Sequence, residues 1–236
     1  MIGAITYEDV CRSIASSYGK YAWEDRDYVF NVSQEAYKKV KLIGILFAPP
    51  HAMLAKAEII PGLDYFNRRS GNNIDFFCAG YAVGWEHADY VSIGKKVDNH
   101  EWVYSNETFD KFRKEIVSRS RWKYSGESDL ILINSFYDSA KRSVDLDFSK
   151  AIVCRLDEMK KTEAVTSVAS FFEDIFNYAE QADPYDPCWG FGNTQGLKGG
   201  GAALIRLLLS LLPKDLGKDF SRLAHFATQD ISVIAP

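Results

Sequence analysis

The chain has 236 residues, 47% of them apolar and 25% charged, which is enough to bury one sizeable core. Its net charge of −4 and isoelectric point near 5.6 argue against a protein held to nucleic acid by bulk electrostatics. Thirteen Tyr, 15 Phe and 5 Trp point to a core built largely from rings. The longest apolar run, Gly199 to Leu212, falls short of the ~20 residues that span a bilayer and contains Arg206. With Ser210 four residues further on, it describes a nearly buried helix with one wet stripe.

Met1 to Ile5 is soon followed by Glu8, Asp9 and Arg12, without a basic segment leading into an apolar one. Cys11, Cys78, Cys154 and Cys188 are scattered, with no close pair. Together these features lead us to expect reduced thiols in a cytoplasmic protein. His51, His87, His100 and His225 are equally dispersed, so zinc is not expected.

In chain order, a first helix is expected over Tyr7 to Ser17, capped by Thr6, carrying Val10, Ile14 and Tyr18 on one face and ended by Gly19. A polar aromatic stretch, 21–31, leads to a short helix over Ser33 to Lys39. Val40 to Phe47 reads as a central strand stopped by Pro49-Pro50. Met53 to Arg69 reads as a helix with Leu54, Ala57, Ile60, Leu63 and Phe66 inward and a kink at Pro61. A second strand is expected over Ile74 to Val83, then an irregular connection from Gly84 to Ser105. A helix starts at Asn106 with Phe109, Phe112 and Ile116 inward.

Asp129 to Phe136 and Asp145 to Arg155 are further strands, and their short connection favours an antiparallel pair. Thr166 to Ala179 is strongly amphipathic. The stretch Asp183 to Gly201 reads as a hinge to a C-terminal helical segment, Ala202 to Leu212 and Asp219 to Ala227.

From residue 40 to 180 the order is strand, helix, strand, helix, strand, strand, helix. Leu46-Phe47-Ala48-Pro49-Pro50, followed by Ile60-Pro61-Gly62-Leu63-Asp64, is similar to the strand, active-site loop and proline-kinked first helix of the thioredoxin-like superfamily. The resemblance implies an α/β fold with a parallel first unit and two final antiparallel strands. The expected architecture is a thioredoxin-like central sheet of about four strands over residues 40–182, with an N-terminal helical extension (1–39) and a glycine-rich hinge and C-terminal helical segment (183–236). Where the family's CxxC opens the first helix, this chain has Met53-Leu54-Ala55-Lys56; near Ser128, where its cis-proline precedes the third strand, there is no proline. Without a paired low-pKa thiolate there is no dithiol exchange.

Other chemistry has candidates. Cys78, inside Phe76-Phe77-Cys78-Ala79-Gly80, is a lone nucleophile only if a cation or helix N-terminus holds it as thiolate; its apolar flanks, like those of Cys154, point to burial. A restriction-type nuclease places an Asp on one strand and (D/E)xK on the next around Mg²⁺. Here Asp145 or Asp147 is followed by Glu158-Met159-Lys160, although Asp157 to Lys161 also reads as the solvated end of a strand. The tract Gly190 to Gly201 offers a weak anion site with Lys198, without Walker A spacing. Trp102-Val103-Tyr104 and Arg119-Ser120-Arg121-Trp122-Lys123-Tyr124 interleave rings and cations, which suits stacked bases or an acidic partner; core rings with solvated charges are the plainer reading.

The function expected is a redox-inactive thioredoxin-like binding or regulatory module that needs no cofactor, Mg²⁺ entering only under the nuclease alternative. The C-terminal leucine-rich helix is the expected surface for a protein partner or self-association; nucleic acid and membrane are not favoured.

Overall fold

The computed structural model describes residues 2–4, 6–24, 38–70, 74–84, 89–138, 141, 143–181, 187–188 and 225–233. The chain folds as β1 (Ile2–Ala4), α1 (Tyr7–Glu24), β2 (Lys38–Phe47), a π-helical turn (Ala55–Ile59) running into α2 (Ile60–Ser70), and β3 (Asp75–Ala79). Next come β4 (Tyr81–Val83), β5 (Val91–Val97), β6 (His100–Tyr104) and α3 (Asn106–Arg119). The last elements are β7 (Asp129–Asp138), β8 (Ser143–Arg155), α4 (Leu156–Lys161), α5 (Val168–Ala179) and β9 (Thr228–Gln229).

These elements make a mixed α/β protein with two sheets. The larger has the order β1-β3-β2-β7-β8-β9, the smaller β4-β6-β5. In the larger sheet β1, β3 and β2 are parallel, while β7 and β8 run antiparallel to their neighbours. The short β7–β8 connection therefore does what its length implies. The sheet exceeds the four strands expected because two short edge strands join it. One is β1, so the N-terminal segment contributes to the main sheet and not only a helix.

β2 is central. Leu42, Ile43, Ile45, Leu46, Phe47 and Ala48 are all at most 2% exposed, as a near-continuous apolar run requires when both faces are covered. On one face Phe47 stacks on Phe112 (centroids 5.7 Å apart), meets Phe109 edge-on at 5.9 Å and touches Trp122 at 4.5 Å. On the other, Phe76 meets Phe172 at 5.2 Å and Phe176 at 5.6 Å, and Phe66 joins Phe172 at 4.9 Å. The charged ends of the sheet are also tied, with Lys41 and Asp75 paired across β2 and β3 at 2.8 Å.

Three elements differ from the sequence expectation. α1 runs through Gly19 to Glu24, and its cap is the one expected: Thr6 Oγ1 accepts the Asp9 N–H at 3.1 Å. In the second helix, Pro61 has no N–H to donate to the preceding turn. The turn widens, and the Ile60 N–H reaches back to Ala55 O. The extra residue rotates the buried face, so Leu54, Ala55, Ile59, Leu63 and Phe66 are inside while Ala57 is exposed. The stretch 91–104, expected as irregular, is a β-hairpin turning at Asp98 (φ 51°) and Asn99 (φ 64°), both left-handed as a tight hairpin turn demands.

Of the short helix expected over Ser33 to Lys39, Lys38 and Lys39 belong to β2 and the rest lies outside the described residues. The leucine-rich run, 199–212, also lies outside them, as does the hinge expected over Asp183 to Gly201 except for Pro187 and Cys188, which are buried. At the end of the expected Asp219 to Ala227 helix, His225 and Phe226 form a turn. No helix among the described residues is long and apolar enough to cross a membrane.

Gly80 separates β3 from β4 and lets one strand switch sheets. Its φ is +79°, and an added Cβ would lie 2.7 Å from Phe109 Cβ and 3.0 Å from Ser105 O. Gly80→Ala combines left-handed strain with overpacking and is expected to lower stability by about 3 kcal/mol in urea titration. A loss below about 0.5 kcal/mol would show that the strand break does not depend on this glycine.

Candidate functional site

Three chain segments meet at one end of the main sheet, because Phe47, Asp129 and Arg155 stand in adjacent register at the ends of β2, β7 and β8. The first is the loop after β2. The Tyr81 hydroxyl donates to Ala48 O at 2.6 Å, and the Ala52 N–H closes a turn on Pro49 O at 2.9 Å. That turn carries His51 and Met53 into solvent; Met53 is 82% exposed, while Leu54 and Ala55 behind it are buried. Lys56 is exposed as well.

The second segment is the loop before β7. Ser128 is fully buried, its N–H donating to Asp157 Oδ2 at 2.8 Å and its carbonyl accepting the Leu156 N–H at 2.9 Å. Asp129 is also fully buried, and its Oδ2 accepts the Ser125 N–H at 3.0 Å. Its Oδ1 and the Ser128 hydroxyl have no hydrogen-bond partner, and the nearby Trp122 indole N–H closes no bond either. Burial holds the Asp129 carboxyl above the ordinary Asp range against the Ser125 donors, the Arg155 charge and Trp122.

The third segment is the β8–α4 junction. A cleft of about 400 Å³ opens between it and the second loop, lined by Lys123, Tyr124, Ser125, Glu127, Arg155, Asp157 and Glu158. Most of its charge is internally answered. Lys161 pairs with Glu127 at 3.3 Å, Arg155 with Glu158 at 3.8 Å, and Asp157 takes the Ser128 N–H. Nothing in the sequence marks Asp129, Asp157 and Ser128 as one cluster. Asp129 gives only one signal, a carboxylate at the head of the apolar run Leu130-Ile131-Leu132-Ile133.

Glu58, on the π-helical turn, locks two helices behind this end. Its carboxylate takes the Val168 N–H at the start of α5 at 2.8 Å and pairs with Lys160 of α4 at 2.8 Å. Burial pushes its pKa up, but hydrogen bonds from Lys160 and Val168 and the Lys160 charge outweigh that and hold it below the ordinary Glu range.

No family model, curated protein or solved structure matches the chain. The site therefore rests on its own geometry.

The nuclease constellation is not brought together. Asp147 sits on β8, where Leu146 faces Ser135 and Ala151 faces Ile133, and its carboxylate accepts the Ser149 N–H at 3.1 Å. The four steps from Ala151 to Arg155 alone cover about 13 Å of strand, with Asp147 on one side and Glu158 on the other. A shared ion at ligand distances needs carboxylates a few Å apart. Lys160 is engaged by Glu58 and by Thr166 O. Asp157 to Lys161, read as the end of a strand, is the short helix α4, with Leu156 and Met159 inside.

Cys78 is fully buried between Gly3 and Leu46 on its neighbouring strands, and burial pushes its thiol up to about 12. Cys154 and Cys188 are buried too, and burial raises the Cys154 thiol. Lys198 lies outside the described residues. Trp122 is a core ring, whereas Arg119, Arg121 and Lys123 are exposed; the Arg119 guanidinium lies 4.1 Å over the Tyr7 ring.

Two measurements check this geometry. In the folded protein at pH 8 a thiol-specific disulfide reagent is expected to modify Cys78, Cys154 and Cys188 only on denaturation, leaving half-buried Cys11 as the accessible thiol; rapid labelling of Cys78 would contradict its burial. Because Glu58 titrates low in the fold, its stabilisation is present above its unfolded pKa of about 4.3 and is lost as pH falls through the folded value. Glu58→Gln is therefore expected to cost about 1 kcal/mol at pH 7, with the difference from wild type closing below about pH 4. Denaturation midpoints across that range would read it, and a difference independent of pH would rule out the charge.

Proposed function

We propose that the chain is a redox-inactive thioredoxin-like module that binds a protein partner through the end of the sheet carrying Met53. The observation that carries this reading is Met53 itself, an apolar side chain 82% exposed at the start of the first kinked helix. That is where the family's first thiol stands. Supporting it are the parallel β2–helix–β3 unit, the antiparallel β7–β8 pair followed by α5, and the helix irregularity at Pro61. An exposed, flexible thioether beside His51 and Pro50 suits apolar contact with a partner. Burial of Cys78 and Cys154, which raises both thiols, supports a reading in which this end recognises a partner and does not exchange disulfides.

The fold reading and the binding reading are tested separately. In the Met53→Cys, Lys56→Cys double variant the two thiols lie one helical turn apart, about 5 Å between Cα atoms, within disulfide range. Oxidised glutathione is expected to close an intramolecular disulfide, releasing two glutathione thiols, with the thiol at 53 titrating below about 8.5. Failure to close would remove the thioredoxin-like geometry at this loop. For binding, the full chain immobilised as an affinity matrix is compared with Met53→Glu, a surface change expected to leave stability within about 0.5 kcal/mol. Partners from the host extract should be retained by the first and lost by the second; equal retention would take the binding face away from Met53.

A further inference from the structure

At about 400 Å³, the cleft beside the β8–α4 junction falls within the range of roughly 300–1,000 Å³ typical of small-molecule sites. Its charges sort into those that are answered and those that are not. Lys161 answers Glu127 at 3.3 Å, and Arg155 and Glu158 answer each other at 3.8 Å. Arg113, whose guanidinium lies 5.8 Å from the centre of the Tyr124 ring, is answered by Asp110 at 2.9 Å. Three charged side chains remain. Lys123 lines the cleft, is exposed, and has no ion pair among the described residues. The other two are carboxylates, Asp157 and Asp129.

Asp157 lines the cleft yet is only 9% exposed. Its Oδ2 takes the Ser128 N–H at 2.8 Å, and its Oδ1 has no hydrogen bond among the described residues. Unlike Asp129 Oδ1, that oxygen is not sealed from solvent, so it is the atom that Asp157 presents to the cleft. Asp129 stands one layer behind. Its register partner Arg155 and its hydrogen-bond donor Ser125 both line the cleft, while its Oδ1 is enclosed without a partner. A buried carboxylate that little water screens is felt across several Å, and a cation nearby favours its ionised form.

Two carboxylates against one lysine leave the cleft lacking one positive charge. The donor set does not suit a metal ion: among the described residues no three His, Cys, Asp or Glu side chains gather to hold one. An ammonium group carries a single charge and several N–H donors, which matches a carboxylate with one free oxygen. Half-buried Tyr124 adds ring surface along which a short carbon chain can lie. We propose that this cleft binds a primary alkylammonium group, which donates to Asp157 Oδ1 while the enclosed charge of Asp129 attracts it from behind. Lys123 opposes the cation and weakens its binding. The site does not depend on the reading at Met53.

Isothermal titration calorimetry of the full chain with n-butylammonium chloride tests this. Saturable binding is expected, weakened by added salt, with none for n-butanol, which has the same carbon chain without the charge. Asp157→Asn, which keeps an acceptor for the Ser128 N–H, should weaken binding at least about tenfold. Lys123→Met should strengthen it about threefold, a gain that damage to the fold does not produce. Asp129→Asn should weaken it about threefold at pH 8 and hardly at all at pH 4, where burial holds the wild-type carboxyl protonated. Displacement of n-butylammonium by Nα-acetyl-lysine amide would extend the site to lysine side chains of a protein; no displacement would restrict it to small free amines. Absence of saturable heat up to about 10 mM, or equal binding of n-butanol, overturns the proposal. So does a Lys123→Met chain that binds no better. If Asp157→Asn does not fold, Lys123→Met, a change at an exposed side chain, carries the test.

Discussion

β2 is hydrogen-bonded on both sides and covered on both faces, and nearly every other element answers that burial. Its parallel neighbour β3 and antiparallel neighbour β7 satisfy its backbone, while its alternating side chains demand two layers of helix. Ile43, Ile45 and Phe47 face the layer that includes α3, where Phe47 is the centre of a ring cluster with Phe109, Phe112 and Trp122. Leu42, Gly44 and Leu46 face the other. Gly44 matters there for what it lacks: a Cβ would lie 3.0 Å from the Phe76 ring, which instead reaches over β2 toward Phe172 and Phe176. A glycine in a central strand weakens it locally. Here it admits a larger ring from the next strand and so joins α5 to the middle of the sheet.

That arrangement also determines what stands at the end of β2. A chain leaving a fully buried strand must turn into a helix on one face, and Pro49 and Pro50 stop the strand before it can extend further. The helix that follows has to bury Leu54, Ala55, Ile59, Leu63 and Phe66 while accommodating Pro61, which a regular helix does not allow. The π-helical turn resolves the conflict by adding a residue to the turn. Glu58, on that added turn, is brought toward α4 and α5, so the irregularity supplies the carboxylate that holds the two later helices. Met53 is the outward counterpart of the same geometry: with Leu54 and Ala55 turned in, the residue before them is turned out.

The sequence made β2, α3, β7, β8 and α5 readable because each has one dominant periodicity and a clear boundary. Ser105 and Ser167 cap their helices, each side chain accepting a backbone N–H of the first turn, and α3 buries the three residues its spacing selects. What could not be read are features decided by distant partners. α4 is six residues long and mostly charged, and nothing in Asp157 to Lys161 outweighs a solvated strand end until Leu156 and Met159 are seen packed inside. The hairpin of β5 and β6 carries a turn signal in Asp98-Asn99, but Gly94-Lys95-Lys96 and Trp102-Val103-Tyr104 interrupt the alternation of apolar and polar residues that would mark its strands in the sequence. The site is harder still. Ser128 and Asp157 are 29 positions apart, and only the folded chain shows that Asp129 Oδ1, the Ser128 hydroxyl and the Trp122 indole N–H are buried without hydrogen-bond partners.

The two edges of the sheet show how a protein of this size closes a core that its central strands alone would leave open. On one side β1 contributes three residues, and Gly3 allows the Tyr81 backbone to approach so closely that a Cβ would sit 2.3 Å from its carbonyl. The smaller sheet thereby begins where the larger ends, and Tyr81 is tied to both: its hydroxyl reaches Ala48 at the end of β2, and its ring meets Trp102 and Tyr104. The two sheets are joined there by covalent continuity through Gly80. The β8 edge is closed by residues 225–233, held through buried Phe226 and Ile231, through the Arg121 and Thr162 side chains and through backbone bonds. Short edge strands suppress unwanted pairing on both sides, and each comes from a part of the chain far from the strand it protects: Ile2–Ala4 beside Asp75–Ala79, and Thr228–Gln229 beside Ser143–Arg155.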